Sequence, residues 1–138
     1  MKEKSVERIV FEEGFYVSTS CGVSMKPFLR DRKDTVVISS VEGKLKKYDV
    51  VLYRRKDEYV LHRIIKVLPD SYVICGDNCI NAESGIKDAD IIGRLTAVYR
   101  GKKSVKMSGI LYGLYCRAAV FSRPLRVLLF KIKCRFKS

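Results

Sequence analysis

The chain has no tryptophan, a single histidine and only three prolines among its 138 residues. The scarcity of histidine restricts metal binding, because a structural zinc site takes four Cys or His ligands, usually as two closely spaced pairs. Cys75 and Cys79 are the closest pair of cysteines, and neither a second such pair nor a second histidine is present to complete a site. We therefore expect no metal, and no cofactor is required by the chemistry considered below.

Disulfide patterning is also lacking, because the five cysteines are odd in number and do not have the dense, regular spacing of a secreted disulfide scaffold. Reduced thiols in a reducing compartment are the simpler interpretation. Residues 1–14 contain four acidic side chains and no apolar run, so no signal peptide is expected. These features predict a cytoplasmic protein.

Acidic residues are missing from the last part of the chain. All 15 Asp and Glu precede residue 100, whereas ten of the 28 Lys and Arg lie between Lys102 and Lys137. The chain up to residue 100 thus has 18 basic and 15 acidic residues, a net charge of +3, and the remainder has +10. A basic tail on a nearly neutral body indicates an anionic partner, either a lipid surface or a nucleic acid.

A long hydrophobic run is absent as well. The apolar stretch 107–116 ends at Arg117, and a membrane span needs about 20 apolar residues. A pair of helices lying on a membrane surface fits better, because an apolar helical face can be formed by Leu125, Leu128, Leu129, Ile132 and Phe136. Packing of this tail on its own domain, with a solvated basic rim, is the other open interpretation. If the helices lie on a membrane surface, the protein is expected to be a peripheral membrane protein.

The organisation of the chain is that of one folded domain with appendages, given its length and its 47% of hydrophobic residues. We divide it into a short N-terminal helix or arm (1–14), a β domain (15–103) and a basic amphipathic helical tail (104–138). The apolar spacing over residues 4–13 predicts a helix. Pro124 suits the first turn of a further helix.

Short β-branched runs predict five strands in the middle segment, over residues 35–41, 49–55, 59–67, 71–76 and 90–100. Turn residues that suit hairpins stand between them at Glu42-Gly43, Lys56-Asp57 and Pro69-Asp70. Five consecutive strands predict a mainly β fold, an antiparallel barrel or sandwich. The longest gap, residues 77–89, is predicted to be a loop, and loops of that length often carry function.

Three short segments contain the residue types of nucleophilic catalysis: GVSMKPFL (22–29), LHRI (61–64) and CGDN (75–78). A serine hydroxyl becomes a good nucleophile when a neighbouring base takes its proton, and neutral imidazole suits that task at pH 7. An acid on the other ring nitrogen holds the imidazole in the useful tautomer. Ser24, His62 and Asp77 are therefore the candidate catalytic residues.

The order of these motifs, S-M-x-P-x-L, then H-R in a strand, then G-D-N, resembles the signal peptidase I superfamily (S24/S26 serine peptidases) over about residues 15–103. The resemblance implies Ser24 as nucleophile and His62 as base, as in the endoplasmic-reticulum and sporulation-type branch that has His in place of Lys. It implies a structural role around the serine for Met25 and Pro27.

The acid that orients His62 remains open between two residues. Asp77 matches the acidic box of the superfamily, and Glu83 matches a second acid that the His branch has six residues later. The implied fold is a signal-peptidase-like β barrel or sandwich. The implied activity is endopeptidase cleavage of a leader or signal-type peptide in a precursor protein, through an acyl-enzyme.

The chain departs from the superfamily pattern at three places. Charged residues, KEKSVERIVFEEG, stand where a membrane-spanning segment usually precedes the serine, so substrate delivery is expected to differ. Gly22 replaces the serine that contributes a hydroxyl to the oxyanion hole, so backbone N–H groups, beginning with that of Ser24, must serve instead. Loss of one such donor costs about 10²–10³ in rate, so slow turnover is expected. Asn78 is followed by Cys79-Ile80-Asn81, which alters the acidic box.

Two alternatives accompany the peptidase interpretation. Cys21 lies three residues before Ser24, and a thiolate beside His62 would also cleave peptides, although the SMKPFL motif centres on the serine. A non-catalytic β domain whose basic tail binds anionic membrane or nucleic acid is the other. Tyr112, Tyr115 and Phe121 stand among basic residues and could stack on single strands. No recognised nucleic-acid motif accompanies them, so nucleic acid ranks below a peptide substrate and a membrane surface as a partner.

Overall fold

The computed structural model describes residues 5–136, except for the side chain of Phe136. The first four residues of the predicted N-terminal arm, the side chain of Phe136 in the predicted apolar face, and Lys137 in the basic tail lie outside the described part. Helix α1 (Val6–Glu13) begins where the Ser5 side chain accepts a hydrogen bond from the Arg8 N–H, and it ends at Gly14 with φ 84°. The predicted N-terminal helix is confirmed from residue 6 onward.

Eight strands form one antiparallel sheet in the order β1-β2-β7-β3-β4-β5-β6, and β8 pairs with β7. Their bounds are β1 (Phe15–Thr19), β2 (Asp34–Ser39), β3 (Val50–Arg55), β4 (Glu58–Val67), β5 (Tyr72–Cys75), β6 (Glu83–Ile86), β7 (Ile91–Arg100) and β8 (Lys103–Ser104). A 3₁₀ helix, Asp88–Asp90, precedes β7.

All five strands predicted from the β-branched runs are present as β2, β3, β4, β5 and β7. The prediction of one loop over residues 77–89 is wrong, because β6 and the 3₁₀ helix lie within it. β6 gave no strand signal because its sequence, ESGI, includes Gly85 with φ 75° and pairs irregularly with β5. β1 lies at the sheet edge with alternating exposed and half-buried residues, so its apolar signal is weak.

The prediction of a mainly β, antiparallel fold is confirmed, but the sheet is open and does not close into a barrel. Within residues 5–136, β1 and β6 end the sheet on opposite sides and do not pair with each other. β7 lies between β2 and β3, so Glu42-Gly43 is part of a crossover and not of a hairpin turn. Lys56-Asp57 does form the turn between the paired strands β3 and β4, as predicted.

Apolar residues pack on both faces of β3, which explains why Val50 to Tyr53 are all buried. Val50 and Leu52 belong to one core cluster, and Val51 and Tyr53 belong to another. The sequence of a strand that is covered on both faces is a continuous apolar run. The same alternation on the neighbouring β4 directs His62 and Arg63 to opposite faces.

The basic tail consists of two consecutive helices, α2 (Gly109–Phe121) and α3 (Arg123–Phe136), with Ser122 in right-handed helical geometry between them. Pro124 is in the first turn of α3, as predicted. Cys116 is buried against the β domain, and Tyr112 and Tyr115 pack on the cluster that contains Phe28. In the described part of the chain, no helix combines the length and apolar character required to cross a bilayer.

Candidate active site

Ser24 lies in the loop between β1 and β2 and is partly exposed. The loop turns at Gly22, whose φ of 89° is a left-handed conformation that favours glycine. The Gly22 N–H donates to an Asp31 carboxylate oxygen at 2.7 Å, so this donor is already occupied. No acceptor within residues 5–136 takes the backbone N–H of Ser24. That N–H is available to stabilise an oxyanion.

Backbone and side-chain hydrogen bonds hold the serine loop against the loop that follows β5. The Asn78 N–H donates to the Ser24 carbonyl at 2.8 Å, and the Asn78 amide donates to the Val23 carbonyl at 3.1 Å. The Asp77 N–H faces the Met25 sulfur at 3.4 Å. The GDN segment thus positions Ser24 through its backbone and through Asn78.

Gly76 separates Ser24 from His62. A Cβ placed on Gly76 would come within 2.6 Å of the Ser24 carbonyl oxygen and 3.1 Å of the His62 Cδ2 atom. These distances leave no space for a side chain. The glycine therefore allows the serine loop to approach the imidazole closely, and both residues line one cleft of about 840 Å³.

His62 is 8% exposed and lies near the middle of β4. Its burial lowers the pKa below the ordinary value of 6.5, although the carboxylates of Glu83 and Asp77 act in the opposite direction. The imidazole is consequently neutral at pH 7, which is the form that can accept a proton from a serine.

Tyr53 connects His62 to Glu83. The Tyr53 hydroxyl donates to a Glu83 carboxylate oxygen at 2.9 Å, and its oxygen lies 3.4 Å from Nδ1 of His62. Since the only hydroxyl proton of Tyr53 is used toward Glu83, the Tyr53 oxygen can bond His62 only as an acceptor. That arrangement assigns the imidazole proton to Nδ1 and leaves Nε2 unprotonated. The 3.4 Å separation is long for a hydrogen bond between a hydroxyl oxygen and a ring nitrogen.

Glu83 is itself held at the start of β6. The Arg55 guanidinium contacts the same Glu83 oxygen that Tyr53 bonds. A connected row of polar groups thus runs from Arg55 through Glu83 and Tyr53 to His62. Glu83 lines the cleft together with Ser24 and His62.

Asp77 has different partners. Both of its oxygens are bonded by Arg63, at 2.8 and 3.0 Å, and Tyr115 donates to one of them at 2.7 Å. Arg63 is fully buried and also donates to the Tyr48 carbonyl, the Tyr112 hydroxyl and the Cys116 sulfur. No hydrogen bond joins Asp77 to His62 within the described residues. The structure therefore brings Ser24, His62 and Glu83 to one cleft and places Asp77 in a buried ion pair behind it.

The cysteines differ in their relation to the cleft. Cys21 is exposed and lines it beside Gly22, and Cys79 lines it near Ser24. Burial raises the pKa of the Cys79 thiol, which keeps it protonated and unreactive at neutral pH. The described residues contain no cluster of three or more His, Cys, Asp or Glu side chains arranged to hold a metal ion.

Sequence reasoning missed Tyr53 and the role of Gly76, and it left Arg63 without a definite role. Tyr53 stands in the apolar run VVLY, and a tyrosine hydroxyl buried in such a run usually has a partner, which is a usable signal. The tyrosines proposed for nucleic-acid stacking have other contacts, since the Tyr115 and Tyr112 hydroxyls bond Asp77 and Arg63.

Comparison with known proteins adds no family assignment: no family model matches the chain, and no curated protein matches it.

Proposed function

We propose that the chain is a serine endopeptidase of the signal-peptidase type, which cleaves a leader or signal-type peptide. Ser24 Oγ attacks the scissile carbonyl while Nε2 of His62 takes the hydroxyl proton. His62 then gives that proton to the leaving amine, the C–N bond breaks and an acyl-enzyme forms. Water, deprotonated by His62, hydrolyses the ester and releases the acid product.

The observation that carries the proposal is that the Ser24 carbonyl and the His62 ring both lie close against Gly76 and that both residues line one cleft. The tautomer that Tyr53 and Glu83 favour leaves Nε2 as the free base. The unpaired Ser24 N–H supplies an oxyanion donor. The resemblance of SMKPFL, LHR and GDN to signal peptidase motifs supports the same residues from the sequence.

The edge strand β1 offers a way to bind an extended peptide. It ends the sheet, and its Ser18 and Thr19 line the cleft that contains Ser24. An extended substrate can add to the open side of β1 by backbone hydrogen bonds, as peptides do on other exposed sheet edges. Such pairing would lead the substrate along the strand toward the nucleophile.

The test is labelling with a serine-directed fluorophosphonate, read by intact mass and peptide mapping. We expect one adduct on Ser24 in the wild type and none in Ser24→Ala or His62→Ala. Ser18→Ala is the matched control, because Ser18 lines the same cleft while its hydroxyl bonds the Thr19 carbonyl, and it should label as the wild type does. Cys21→Ser should also label, which separates the serine from the nearby thiol.

Absence of labelling in a wild-type protein shown to be folded would overturn the proposal. Labelling that persists in Ser24→Ala would overturn it as well, because the reactive group would lie elsewhere. In either case the non-catalytic β domain with a binding tail becomes the better account.

A further inference from the structure

Large apolar side chains are exposed along the outer side of the two tail helices. The exposed fraction ranges from 83% at Leu111 to 41% at Ile132. We call this surface the apolar stripe, and its members are Ile110, Leu111, Leu114, Phe121, Leu125, Leu128, Leu129 and Ile132. Ser122 keeps helical angles, φ −78° and ψ −10°, so the 3.6-residue phase of α2 continues into α3. The members consequently share one side of the helix pair.

The opposite side of the helix pair contacts the β domain and the candidate active site. Arg126 donates to the Cys79 carbonyl at 3.1 and 3.2 Å, and Arg123 donates to the Ile80 carbonyl at 3.0 Å. Phe130 lines the cleft that contains Ser24 and His62. The outward direction of the apolar stripe is therefore set by inward contacts, and the cleft adjoins the helix whose other side carries the stripe.

Basic side chains border the apolar stripe. Lys131 and Lys133 are exposed and precede and follow Ile132, so each is turned about 100° from it around the helix. Arg117 is exposed within α2, and no Asp or Glu occurs after Asp90. An apolar face with cations on both flanks is complementary to an anionic bilayer surface, where aliphatic groups enter the interface and ammonium groups reach headgroups.

Other occupants fit the apolar stripe less well. A second copy of the chain would bring two segments of charge +10 together, which is repulsive. Nucleic acid is bound through aromatic stacking and basic groups, but seven of the eight stripe members are aliphatic. Tyr112 and Tyr115 lie on the inward side.

We infer that the apolar stripe docks on an anionic lipid bilayer and thereby holds the cleft that Phe130 lines close to the membrane surface. Docking depends only on the tail. A consequence of docking is that the peptide substrate reaches Ser24 from the membrane surface, and this consequence rests on the proposed peptidase function.

The first test is flotation of the full chain with vesicles of phosphatidylcholine and phosphatidylglycerol in equal amounts, beside vesicles of phosphatidylcholine alone. We expect strong binding to the mixed vesicles, weak binding to the neutral ones and a steep loss of binding with added salt. Leu114→Gln/Leu128→Gln should weaken binding at least about tenfold, because two aliphatic side chains leave the interface. Phe11→Gln/Val67→Gln, which changes exposed apolar residues outside the tail, should bind as the wild type does.

The second test separates charge from apolar contact. Lys131→Gln/Lys133→Gln should weaken binding to the anionic vesicles by about 30-fold, because each lysine near such a surface contributes about fivefold. Lys46→Gln/Lys66→Gln removes two exposed lysines of the β domain and should leave binding unchanged. Equal losses in both variants would overturn the assignment to the tail.

The outcomes distinguish docking from catalysis. Folded Ser24→Ala should bind vesicles as the wild type does, and folded Leu114→Gln/Leu128→Gln should retain fluorophosphonate labelling in solution. No vesicle binding by wild type, or tight binding to single-stranded RNA with none to vesicles, would overturn the docking inference whatever the labelling shows. Concentration-dependent dimerisation that the Leu114→Gln/Leu128→Gln variant abolishes would also overturn it, because the stripe would then be covered by a second copy.

Discussion

The two acidic residues that are candidates for orienting His62 have opposite surroundings. Asp77 is nearly enclosed, and its two oxygens accept three hydrogen bonds from Arg63 and Tyr115. Glu83 is partly exposed, and it reaches His62 through the single hydroxyl of Tyr53. Both acids stand in positions that the sequence resemblance offers for orienting His62, but only Glu83 has a connection to the imidazole within residues 5–136.

The difference indicates a division of roles. The Asp77–Arg63 pair joins the GDN loop to α2, since Arg63 also bonds Tyr112 and Cys116. We expect it to act on stability, because a buried charge that loses its partner is costly. Tyr53 lies against His62 and links Glu83 to it, so we expect these two residues to act on reactivity. A variant at either group can be compared with a matched control that leaves both groups intact.

The largest expected effect is on stability, in Asp77→Asn. The amide keeps the shape of the carboxylate but leaves the buried Arg63 guanidinium without a counterion, and we expect a loss of about 3–5 kcal/mol in the free energy of unfolding. Urea denaturation with an unchanged slope measures it. Glu58→Gln, which breaks the exposed pair with Arg55, should cost no more than about 1 kcal/mol. A stable Asp77→Asn protein that no longer labels at Ser24 would make Asp77, and not Glu83, the acid that serves His62.

A smaller effect is expected on reactivity in Tyr53→Phe. Removing the hydroxyl takes away the acceptor of the His62 Nδ1 proton, so the ring loses its orientation and the labelling rate of Ser24 should fall about ten- to a hundredfold. The labelling rate is measured by quenching the reaction at successive times and determining the labelled fraction by intact mass. Tyr59→Phe is the control, because the Tyr59 hydroxyl donates to Glu7 of α1 instead of to Glu83, and it should label at the wild-type rate. An unchanged rate in Tyr53→Phe would remove Tyr53 from the site.

The smallest expected effect is a shift in pH dependence in Glu83→Gln. Labelling needs neutral His62, so the rate should rise with pH through the His62 pKa, which burial places below 6.5. The Glu83 charge raises that pKa, so its removal should move the midpoint of the profile to lower pH. Glu58→Gln should leave the midpoint in place. If Glu83→Gln had the wild-type midpoint and rate, the polar row from Glu83 to His62 would have no functional role.

Much of the β domain could be predicted because its signals are local. The β-branched runs correspond to β2, β3, β4, β5 and β7, where consecutive side chains pack on the sheet. β1 and β6 could not be predicted because edge strands need less apolar sequence. The openness of the sheet could not be predicted either, because it depends on which strands pair with each other across the chain. The candidate residues were found by type and order, whereas Tyr53 and Gly76 matter through contacts with residues far away in sequence.

Local sequence accounts for five of the strands, for the helical tail and for the choice of candidate nucleophile, base and acids, because each depends on residue type and short-range spacing. Tertiary packing decided which acid connects to His62, since Arg63 and Tyr115 approach Asp77 from 14 and 38 residues away. It also decided which side of the tail faces solvent. Arg123 and Arg126 bond the Ile80 and Cys79 carbonyls and thereby turn the aliphatic side outward. Such choices follow from long-range contacts that no local pattern contains.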